Sequence, residues 1–426
     1  MADSQDLLSF IDAAPSPYHA TFEAARRLTQ RGFEEVALKS EFPSGSGSYF
    51  VQRGGALIAW TVPQDGSSPH AFRIVGAHSD SPNLRIKPQP DIGNVNTRQL
   101  AVEVYGGALW NSWLDRDLGL SGRIFTSGPS AVTEHLFRVD RALLRVPQLA
   151  IHLDRDVNTS GLKLNPQVHL NPIWGSGPIE VGGFREFLAE QIGVDANTII
   201  GWDTMAHDLT PSSFLGLDNE FIAAPRLDNL LSCWAAVEAV SSVANLSKGR
   251  SHIAVAAIFD HEEVGSASTT GADGVLLGQV LERITNGLGG SRQDFLALLQ
   301  SSACVSADGA HGTHPNYPER HDSAHNVLLN GGPVIKINSN QRYSTDPEAR
   351  ALLNLAFEQA GVAPQFFVSR NDMGCGSTIG PALATRLAIP TVDMGVAMLS
   401  MHSAREMCGA HDPSRLGQVL EAFLST

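Results

Sequence analysis

The chain has 426 residues, which is more than one ordinary hydrophobic core accommodates, so we expect at least two domains. Hydrophobic residues make up 42% and charged residues 17% of the sequence, and this near-average composition argues against a disordered or fibrous protein. The formal net charge of −14 repels phosphate backbones and no basic run offsets it, which argues against nucleic acid as a partner.

The first residues, MADSQDLLSFIDAA, are acidic where a signal peptide is basic, and no apolar run is long enough to span a bilayer. The four cysteines lie far apart without a CxxC pair, which argues against a disulfide framework or a thiolate zinc site. We therefore expect a cytoplasmic protein with reduced cysteines and no membrane partner.

The first predicted elements are a helix and two buried strands. Ser16 and Pro17 have the pattern of an N-cap followed by proline at the first helical position, and the apolar spacing of residues 18–28 predicts an amphipathic helix. Residues 71–76 (AFRIVG) and 253–259 (IAVAAIF) are short apolar runs typical of strands buried on both faces, as in a parallel sheet.

Between those two strands the sequence changes to short strand-like pieces punctuated by Gly, Pro and Asn. These pieces are residues 100–109, 122–125, 142–153 and 163–170. After them helical and strand patterns alternate again: helices at 227–243, 345–360 and 414–424, strands at 334–337 and 391–394. We predict an α/β fold with a central mixed, largely parallel sheet flanked by helices. Residues 1–91 and 219–426 form this discontinuous domain, and a mostly β insertion, residues 92–218, interrupts it.

The first candidate site is GAHSD, which directly follows the predicted strand 71–76. Open α/β sheets place their ligand crevices at the carboxyl ends of such strands. Because residues i and i+2 of an extended segment face the same way, His78 can bind a metal while Asp80 fixes its tautomer through the other ring nitrogen. A lone HxD motif is also common in ordinary loops.

The second candidate site is DHEEVGS, which follows the other buried strand. Adjacent glutamates at a strand end are costly to bury unless a cation or a proton compensates them. One of Glu262 and Glu263 can bind a metal, and its neighbour can then act as the general base that deprotonates a water. The alternative is a solvated acidic loop.

Three further segments supply possible ligands. Asp228 opens a predicted helix in RLDNLL, Asp308 follows a short apolar piece in SADGAHGTHP, and His402 follows a predicted strand in MGVAMLSMHS. Each is unremarkable alone, since an acidic residue at a helix start also favours the helix dipole. Together with the two earlier sites they place histidines and carboxylates at strand ends or helix starts of one α/β domain.

Seven separated motifs resemble those of the M18 family of metallo-aminopeptidases, the aspartyl aminopeptidases. The motifs are GAHSDSPNLRIKP, APRLDNL, DHEEVGS, SADGAHGTHPNYPERHD, INSNQRYSTD, GCGSTIGP and MGVAMLSMHSARE. They agree with the family in order and spacing, and the resemblance extends from the N-terminal helix to the C-terminal helix.

The resemblance implies a centre of two divalent metal ions. His78 and Asp308 would bind one ion, Glu263 and His402 the other, and Asp228 would bridge them. Glu262 would be the general base, and Asp80 the partner of the first histidine. Carboxylate and imidazole ligands suit zinc, with manganese or cobalt as possible replacements.

The resemblance also implies the substrate and the assembly. The substrates would be peptides with an acidic N-terminal residue, with Lys336, Tyr343 and His311 at the substrate. The insertion would be a dimerisation domain within a dodecamer. His152, in the strand-like segment LAIHLDR, would reach the active site of a neighbouring subunit and stabilise an oxyanion.

Two alternatives remain open from the residues alone. A metal-dependent deacylase or carboxypeptidase can share the HxD and Glu-Glu patterns, although it needs a basic clamp for a substrate carboxylate. A non-catalytic assembly protein would have lost Glu262 or a ligand. Release of aspartate from an Asp-X dipeptide, with and without metal, separates these functions.

Overall fold

The computed structural model describes residues 4–63, 69–128, 131–244 and 250–426. The chain forms two compact units. The first unit comprises Met1–Asp80, Ser212–Met401 and Glu406–Thr426, and the second comprises Ser81–Pro211 and His402–Arg405. The main segment of the second unit therefore begins at Ser81 and ends at Pro211. The predicted insertion comprises residues 92–218.

Helices and strands alternate along most of the described chain. The helices are α1 (Ser4–Ala13), α2 (Pro17–Gln30), α3 (Val157–Ser160), α4 (Pro166–His169), α5 (Gly183–Ile192), α6 (Leu227–Ala244), α7 (Leu276–Gly287), α8 (Arg292–Gln300), α9 (Pro347–Ala360), α10 (Gly380–Leu387) and α11 (Asp412–Ser425). The strands are β1 (Glu34–Glu35), β2 (Gly47–Arg53), β3 (Ala56–Val62), β4 (Ala71–His78), β5 (Asn83–Asn94), β6 (Thr97–Tyr105), β7 (Leu118–Ser127), β8 (Val132–Leu144), β9 (Ile173–Ser176), β10 (Ile199–Asp208), β11 (Ser213–Leu215), β12 (Phe221–Ala224), β13 (His252–Phe259), β14 (Ala303–Ala307), β15 (Ala310–His311), β16 (Val334–Ile337), β17 (Gln365–Val368), β18 (Thr391–Gly395), β19 (Ala397–Leu399) and β20 (Glu406–Gly409).

A nine-stranded mixed sheet forms the centre of the first unit, in the order β1-β2-β3-β13-β4-β14-β18-β16-β17. Its four central strands, β13, β4, β14 and β18, run parallel to one another. Parallel strands buried on both faces need apolar residues at nearly every position, and β13 is buried along its whole length. The predicted α/β fold with a mixed, largely parallel sheet is confirmed.

Helices cover both faces of this sheet, and the side chains of β4 alternate between two hydrophobic clusters. Phe72 and Ile74 pack into the cluster that contains residues of α7, α8 and α10. Val75 and Ala77 pack into the cluster that contains residues of α1, α2, α6, α9 and α11. Full burial of such a side chain is worth about 1.5–3 kcal/mol, so the two clusters fix the strand between its helical layers.

A second, five-stranded sheet in the first unit has the order β11-β12-β20-β19-β15. The short strand β15 begins two residues after Asp308 and pairs with β19 in parallel, with Ala310 opposite Ala397. The segments that follow β14 and β18 are therefore held beside each other.

The second unit contains a six-stranded antiparallel sheet in the order β8-β7-β10-β5-β6-β9. Helix α5 contributes Phe184 and Leu188 to its core, where they pack with apolar strand residues such as Leu84 and Leu120. The alternation expected of an antiparallel sheet with one solvated face is seen in β8, where Phe137 and Val139 are buried between exposed neighbours.

Several predicted elements agree with the structure. Ser16 caps α2, where its hydroxyl accepts a hydrogen bond from the His19 amide at 3.4 Å and Pro17 takes the first helical position. Strands β4, β13, β16 and β18 and helices α6, α9 and α11 also lie where the sequence predicted them. Within the described residues no helix has the length and apolar character needed to cross a bilayer.

Two predicted strands of the insertion were wrong. Residues 163–170 contain the short helix α4, because Asn165 accepts from the Gln167 amide as an N-cap and Pro166 follows it. A strand was also predicted at 142–153, but β8 ends at Leu144, so the rest of this segment lies outside the named strands. His152 lies in an exposed turn instead of a strand.

Candidate active site

The candidate residues lie at or just after the carboxyl ends of three parallel strands of the central sheet, β13, β4 and β14. His78 is the last residue of β4, and it lies opposite Phe259, the last residue of the parallel neighbour β13. Asp308 follows the last residue of β14, which pairs with the other side of β4. Because the carboxyl ends of parallel strands meet at the same edge, the sheet itself brings these segments together.

Distances at this edge match the spacing of metal ligands. The His78 Nε2 atom lies 3.5 Å from Asp228 Oδ1 and 3.5 Å from Asp308 Oδ1. Two ligand atoms at about 2.0–2.1 Å from a tetrahedral zinc ion are about 3.4 Å apart. Glu263 joins the same group, since ligand atoms of His78, Asp228 and Glu263 all lie within 4.8 Å of one another. The donor set of imidazole and carboxylates therefore fits a zinc ion.

Asp80 is completely buried and organises the surrounding backbone. Its two carboxylate oxygens accept hydrogen bonds from the amides of Glu262 and Glu263, each at 3.1 Å. Its backbone oxygen accepts from His78 Nδ1 at 3.0 Å, and its Oδ1 lies 3.4 Å from the same nitrogen. A carbonyl oxygen can only accept, so Nδ1 carries the proton and Nε2 is directed to the cluster.

Glu262 lies at the edge of the cluster. Its Oε2 is 4.0 Å from His78 Nε2, and its side chain is 15% exposed. Burial raises the pKa of Glu262 to about 8; the adjacent imidazole opposes this shift, and the carboxylates of Asp308 and Asp228 add to it. A carboxyl group held in this way is suited to exchange a proton near neutral pH.

The cluster as a whole attracts positive charge. Although burial opposes protonation, hydrogen bonds to the carboxylates of Asp228, Asp308 and Asp80 raise the pKa of His78 well above its ordinary value. A divalent cation held by the same groups supplies this charge more effectively than a proton, and it requires a neutral imidazole. The electrostatics of the site therefore favour cation binding.

Two residues that the sequence analysis did not single out hold the start of α6 in place. Glu406, 2% exposed, accepts a hydrogen bond from the Asp228 amide at 2.9 Å. Asn229 donates from its side chain to the Ala307 carbonyl at 2.8 Å, next to Asp308. Both pairs are distant in sequence, so no local pattern identified them. The only sequence signal for Glu406 is its place as the last residue of the motif MGVAMLSMHSARE.

Lys336 lies beside the cluster on β16. Its ammonium group donates to the Gly309 carbonyl at 3.0 Å and lies 3.4 Å from Asp308 Oδ2. The same group is 5.1 Å from the centre of the Tyr343 ring, in cation–π range. Lys336 is 2% exposed, so it links a candidate ligand to an aromatic side chain in the interior of the unit.

A cavity of about 300 Å³ adjoins this aromatic side chain. Its lining includes basic, aromatic and methionine side chains: His311, His314, Arg320, His321, Tyr343, Phe367, Arg370, Met373, Met398 and Met401. The ring of Phe367 packs edge-on against the rings of His311 and Tyr343. Two of the residues predicted to lie at the substrate therefore share one cavity.

The structure places the remaining candidates in the second unit. His402 lies in a turn with φ of 66°, and its Nδ1 is 3.2 Å from the Gly107 carbonyl oxygen. His152 is exposed in the turn described above. The predicted roles of these two histidines, as a metal ligand and as an oxyanion donor, stay predictions.

Comparison with known sequences connects this site to a family. The family model described as aminopeptidase I zinc metalloprotease (M18) matches residues 10–424. The probable M18 family aminopeptidase 2 of Streptomyces coelicolor is 52% identical over 99% of this chain and 97% of its own length. The protein of the same name from Mycobacterium tuberculosis H37Rv is 47% identical over 100% of this chain and 98% of its own length.

Solved structures share the fold over nearly the whole chain. A chain in the cryo-EM structure of the Ape4 and Nbr1 complex superposes with a TM-score of 0.94 at 36% identity, covering 99% of this chain and 85% of that one. The S. cerevisiae mApe1 dodecamer gives 0.85 at 26% identity, covering 99% and 95%. An M18 family aminopeptidase from Thermotoga maritima gives 0.86 at 23% identity, covering 99% and 95%.

Proposed function

The chain belongs to the M18 family of zinc metallo-aminopeptidases, and on that premise we propose that it removes single acidic residues from the amino end of peptides at a two-metal centre. The observation that carries this proposal is that His78 Nε2 lies 3.5 Å from a carboxylate oxygen of Asp228 and 3.5 Å from one of Asp308. Metal content measured on the purified chain tests it. Two ions per chain support the proposal, and a chain that binds none after incubation with zinc contradicts it.

We assign the ligands as the family resemblance implies. His78 and Asp308 would hold one ion, Glu263 and His402 would hold the other, and Asp228 would contribute to both. Divalent ions in such a centre lower the pKa of water and polarise the scissile carbonyl group. Zinc fits the donor set, and manganese or cobalt are possible replacements.

Glu262 and Asp80, which lie beside the proposed ligands, have separate roles in the reaction. Glu262 accepts the proton of the attacking water and returns it to the departing amine, a role that its position 4.0 Å from His78 Nε2 at the edge of the cluster suits. Asp80 fixes the imidazole tautomer and, through the amides of Glu262 and Glu263, the direction of both glutamates. The free amine of a substrate would bind at this centre, which favours cleavage at a free amino end.

The lining of the 300 Å³ cavity supports a preference for acidic side chains. Among its described lining residues are three histidines and two arginines but no aspartate or glutamate. Arg370 is already bound to Asp372 at 2.8 and 2.6 Å. Arg320 is exposed and forms no ion pair with the described part of the chain, so its guanidinium group is available to a carboxylate.

We therefore propose that two cations favour an acidic side chain: Arg320, in the exposed lining of the cavity, and Lys336, whose ammonium group lies 5.1 Å from the centre of the Tyr343 ring. Lys336 is buried and is not itself among the described lining residues. Because Lys336 also touches Asp308, its replacement affects metal binding as well as selectivity, whereas Arg320 touches no proposed ligand.

Two substitutions test the assignment. Arg320→Met should lower the ratio of kcat/KM for Asp-X over Leu-X dipeptides about tenfold or more, since a hydrogen bond to a charged group is worth about 1.5–3 kcal/mol. Lys336→Met should lower the same ratio and cost selectivity more than stability, although it also removes the buried ammonium group beside Asp308. Arg53→Met, at an exposed arginine outside the cavity, is the control. Wild-type ratios in both Arg320→Met and Lys336→Met would show that neither cation selects the substrate.

We also propose that copies of this chain assemble through the second unit, as a dodecamer like the related mApe1 structure. Leu149, Ile151 and Leu153 are 58%, 46% and 74% exposed and lie on both sides of His152. Such an exposed apolar segment is typical of an interface, and burial there would bring His152 to a neighbouring subunit. A cytoplasmic location is part of the same proposal.

Mixing two inactive variants tests this shared site. Glu262→Gln subunits and His152→Ala subunits are dissociated, mixed in equal amounts and reassembled. In a mixed pair one site has Glu262 from its own chain and His152 from its partner, so about a quarter of the sites should recover. Verified mixed oligomers without activity would exclude a role for His152 in its neighbour.

A further inference from the structure

Asp393 is a fully buried carboxylate at the centre of the main sheet, and neither the metal centre nor the cavity lining includes it. It lies on β18, a strand that is buried along its whole length, opposite Ser306 of β14. An ionised carboxylate in such a place is costly unless hydrogen bonds satisfy it. Its partners therefore indicate why an acidic residue is present there.

The partners of Asp393 come from two separate loops. Oδ2 accepts hydrogen bonds from the Ser344 amide at 2.6 Å and the Ser344 hydroxyl at 2.8 Å. Oδ1 accepts from the Thr378 hydroxyl at 2.6 Å. Ser344 belongs to the loop 338–346 between β16 and α9, and Thr378 to the loop 369–379 between β17 and α10. One carboxylate thus joins both loops.

Both loops form walls of the 300 Å³ cavity. The first supplies Tyr343, the residue before Ser344, and the second supplies Arg370, Met373, Gly374 and Gly376. The Asp393 carboxylate accepts hydrogen bonds from both loops and so connects the two walls. Hydrogen bonds to an ionised acceptor are about twice as strong as neutral ones, which suits a residue that must hold two irregular segments in register.

Neighbouring residues leave room for this arrangement and reinforce it. A Cβ atom at Gly380 would lie 2.4 Å from Asp393 Oδ2 and 2.5 Å from the Ser344 hydroxyl, so only glycine leaves space there. The Asp393 amide donates to the Thr345 hydroxyl at 3.2 Å, and that hydroxyl donates to the Lys336 carbonyl. The first loop is therefore attached to β18 through the backbone of Asp393 as well.

We propose that Asp393 is a positioning residue that sets the width of the substrate cavity by holding loops 338–346 and 369–379 together. This inference rests on the proposal that the cavity receives the substrate side chain. Its distinguishing consequence is an effect on substrate binding: the walls move when the carboxylate is removed, while the metal ligands on other segments stay in place.

The test compares variants of the full-length protein by steady-state kinetics on an Asp-X dipeptide. Asp393→Ala should raise KM about tenfold with kcat within about threefold of wild type, which corresponds to about 1.4 kcal/mol of binding. Asp393→Asn keeps one acceptor oxygen and should restore most of the loss. Thr378→Val keeps the side-chain size and removes the hydroxyl that donates to Asp393 and accepts from the Gly380 amide at 3.2 Å. This variant replaces the alanine variant in the test if the alanine variant does not fold.

Thr391→Val is the matched control. Thr391 is also buried on β18, and its hydroxyl donates to the Ile389 carbonyl at 3.1 Å instead of to a cavity loop. This variant should lose a comparable hydrogen bond and some stability while KM stays unchanged. If KM rises as much in Thr391→Val as in Asp393→Ala, the effect reflects a general loss of stability, and the inference is overturned.

Hydrogen exchange of the two loops separates this inference from the proposed function. Faster exchange in 338–346 and 369–379 together with a raised KM supports the positioning role of Asp393. Unchanged exchange in Asp393→Ala overturns that role and leaves the proposed function intact. Faster exchange with unchanged KM shows that the cavity does not receive the substrate, which overturns that part of the proposed function and the inference with it.

Discussion

Gly395 is the position at which a single added methyl group should disable the metal centre. A Cβ atom there would lie 1.6 Å from the Asp308 carbonyl oxygen and 2.5 Å from its carbonyl carbon. The Asp308 amide also donates to the Met394 carbonyl at 2.9 Å, so the two segments are in direct contact. Both groups facing the new methyl are backbone, and no rotation of a side chain can relieve the overlap.

The required displacement is large on the scale of metal coordination. An ordinary contact begins at 3.4 Å, so 3.4 Å less 1.6 Å leaves a separation of about 1.8 Å to be made. Asp308 Oδ1 lies 3.5 Å from His78 Nε2, and a shift of this size takes it out of the range of a shared ion. A misplacement of about 1 Å can cost roughly 10²-fold in rate.

We therefore expect Gly395→Ala to lower kcat/KM for an Asp-X dipeptide at least about 100-fold and to reduce bound metal per chain. Kinetics, elemental analysis and a thermal melt measure these effects, and the melt shows whether the variant is folded. Gly417→Ala is the control, since no atom lies within 4 Å of its added Cβ in α11. A folded Gly395→Ala protein with full metal content and kcat/KM within threefold of wild type would refute the reasoning.

Three further predictions follow from the same structure. Glu262→Gln should keep its metal content and lose about 10²–10⁴-fold in kcat, and a loss below tenfold would exclude Glu262 as the general base. Chelation should abolish activity and added zinc should restore it; activity that survives exhaustive chelation contradicts the metal assignment. Burial lowers the pKa of His252 to about 4, so protonation favours the unfolded chain below its ordinary pKa of 6.5. The free energy of unfolding should fall by roughly 3 kcal/mol from pH 6.5 to pH 4, and His252→Gln, measured by urea denaturation at both values, should remove this part of the decrease.

The sequence predicted the central strands well because their signal is local. Residues 71–76 and 253–259 are apolar at nearly every position, as burial between two helical layers requires, and β4 and β13 lie there. Residues 163–170 do not form the predicted strand because Asn165 caps the short helix α4 and Pro166 takes its first position. Helix α1 was not predicted, although its residues Leu7, Phe10 and Ile11 are buried at helical spacing.

Part of the candidate site was also accessible from the sequence. His78, Glu262 and Asp308 each follow an apolar strand segment, and parallel strands bring such ends to one edge. The contacts of Asp393 and Glu406 were not accessible, because each joins segments far apart in the chain: Glu406 binds the amide of a residue 178 positions away. A lone acidic residue in an apolar strand such as TVDMG signals a buried polar role, but its partners appear only in the folded chain.

The most direct test of the proposed activity is release of free aspartate from Asp-Ala-Ala by the zinc-loaded protein. Asp-Ala-Ala, Leu-Ala-Ala and N-acetyl-Asp-Ala-Ala are compared at equal concentration. We predict that aspartate is released from the first peptide, leucine at least about tenfold more slowly from the second, and nothing from the third, because cleavage requires a free amine and an acidic side chain. Cleavage of the acetylated peptide, or no release from Asp-Ala-Ala by fully metal-loaded protein, would contradict the proposed function.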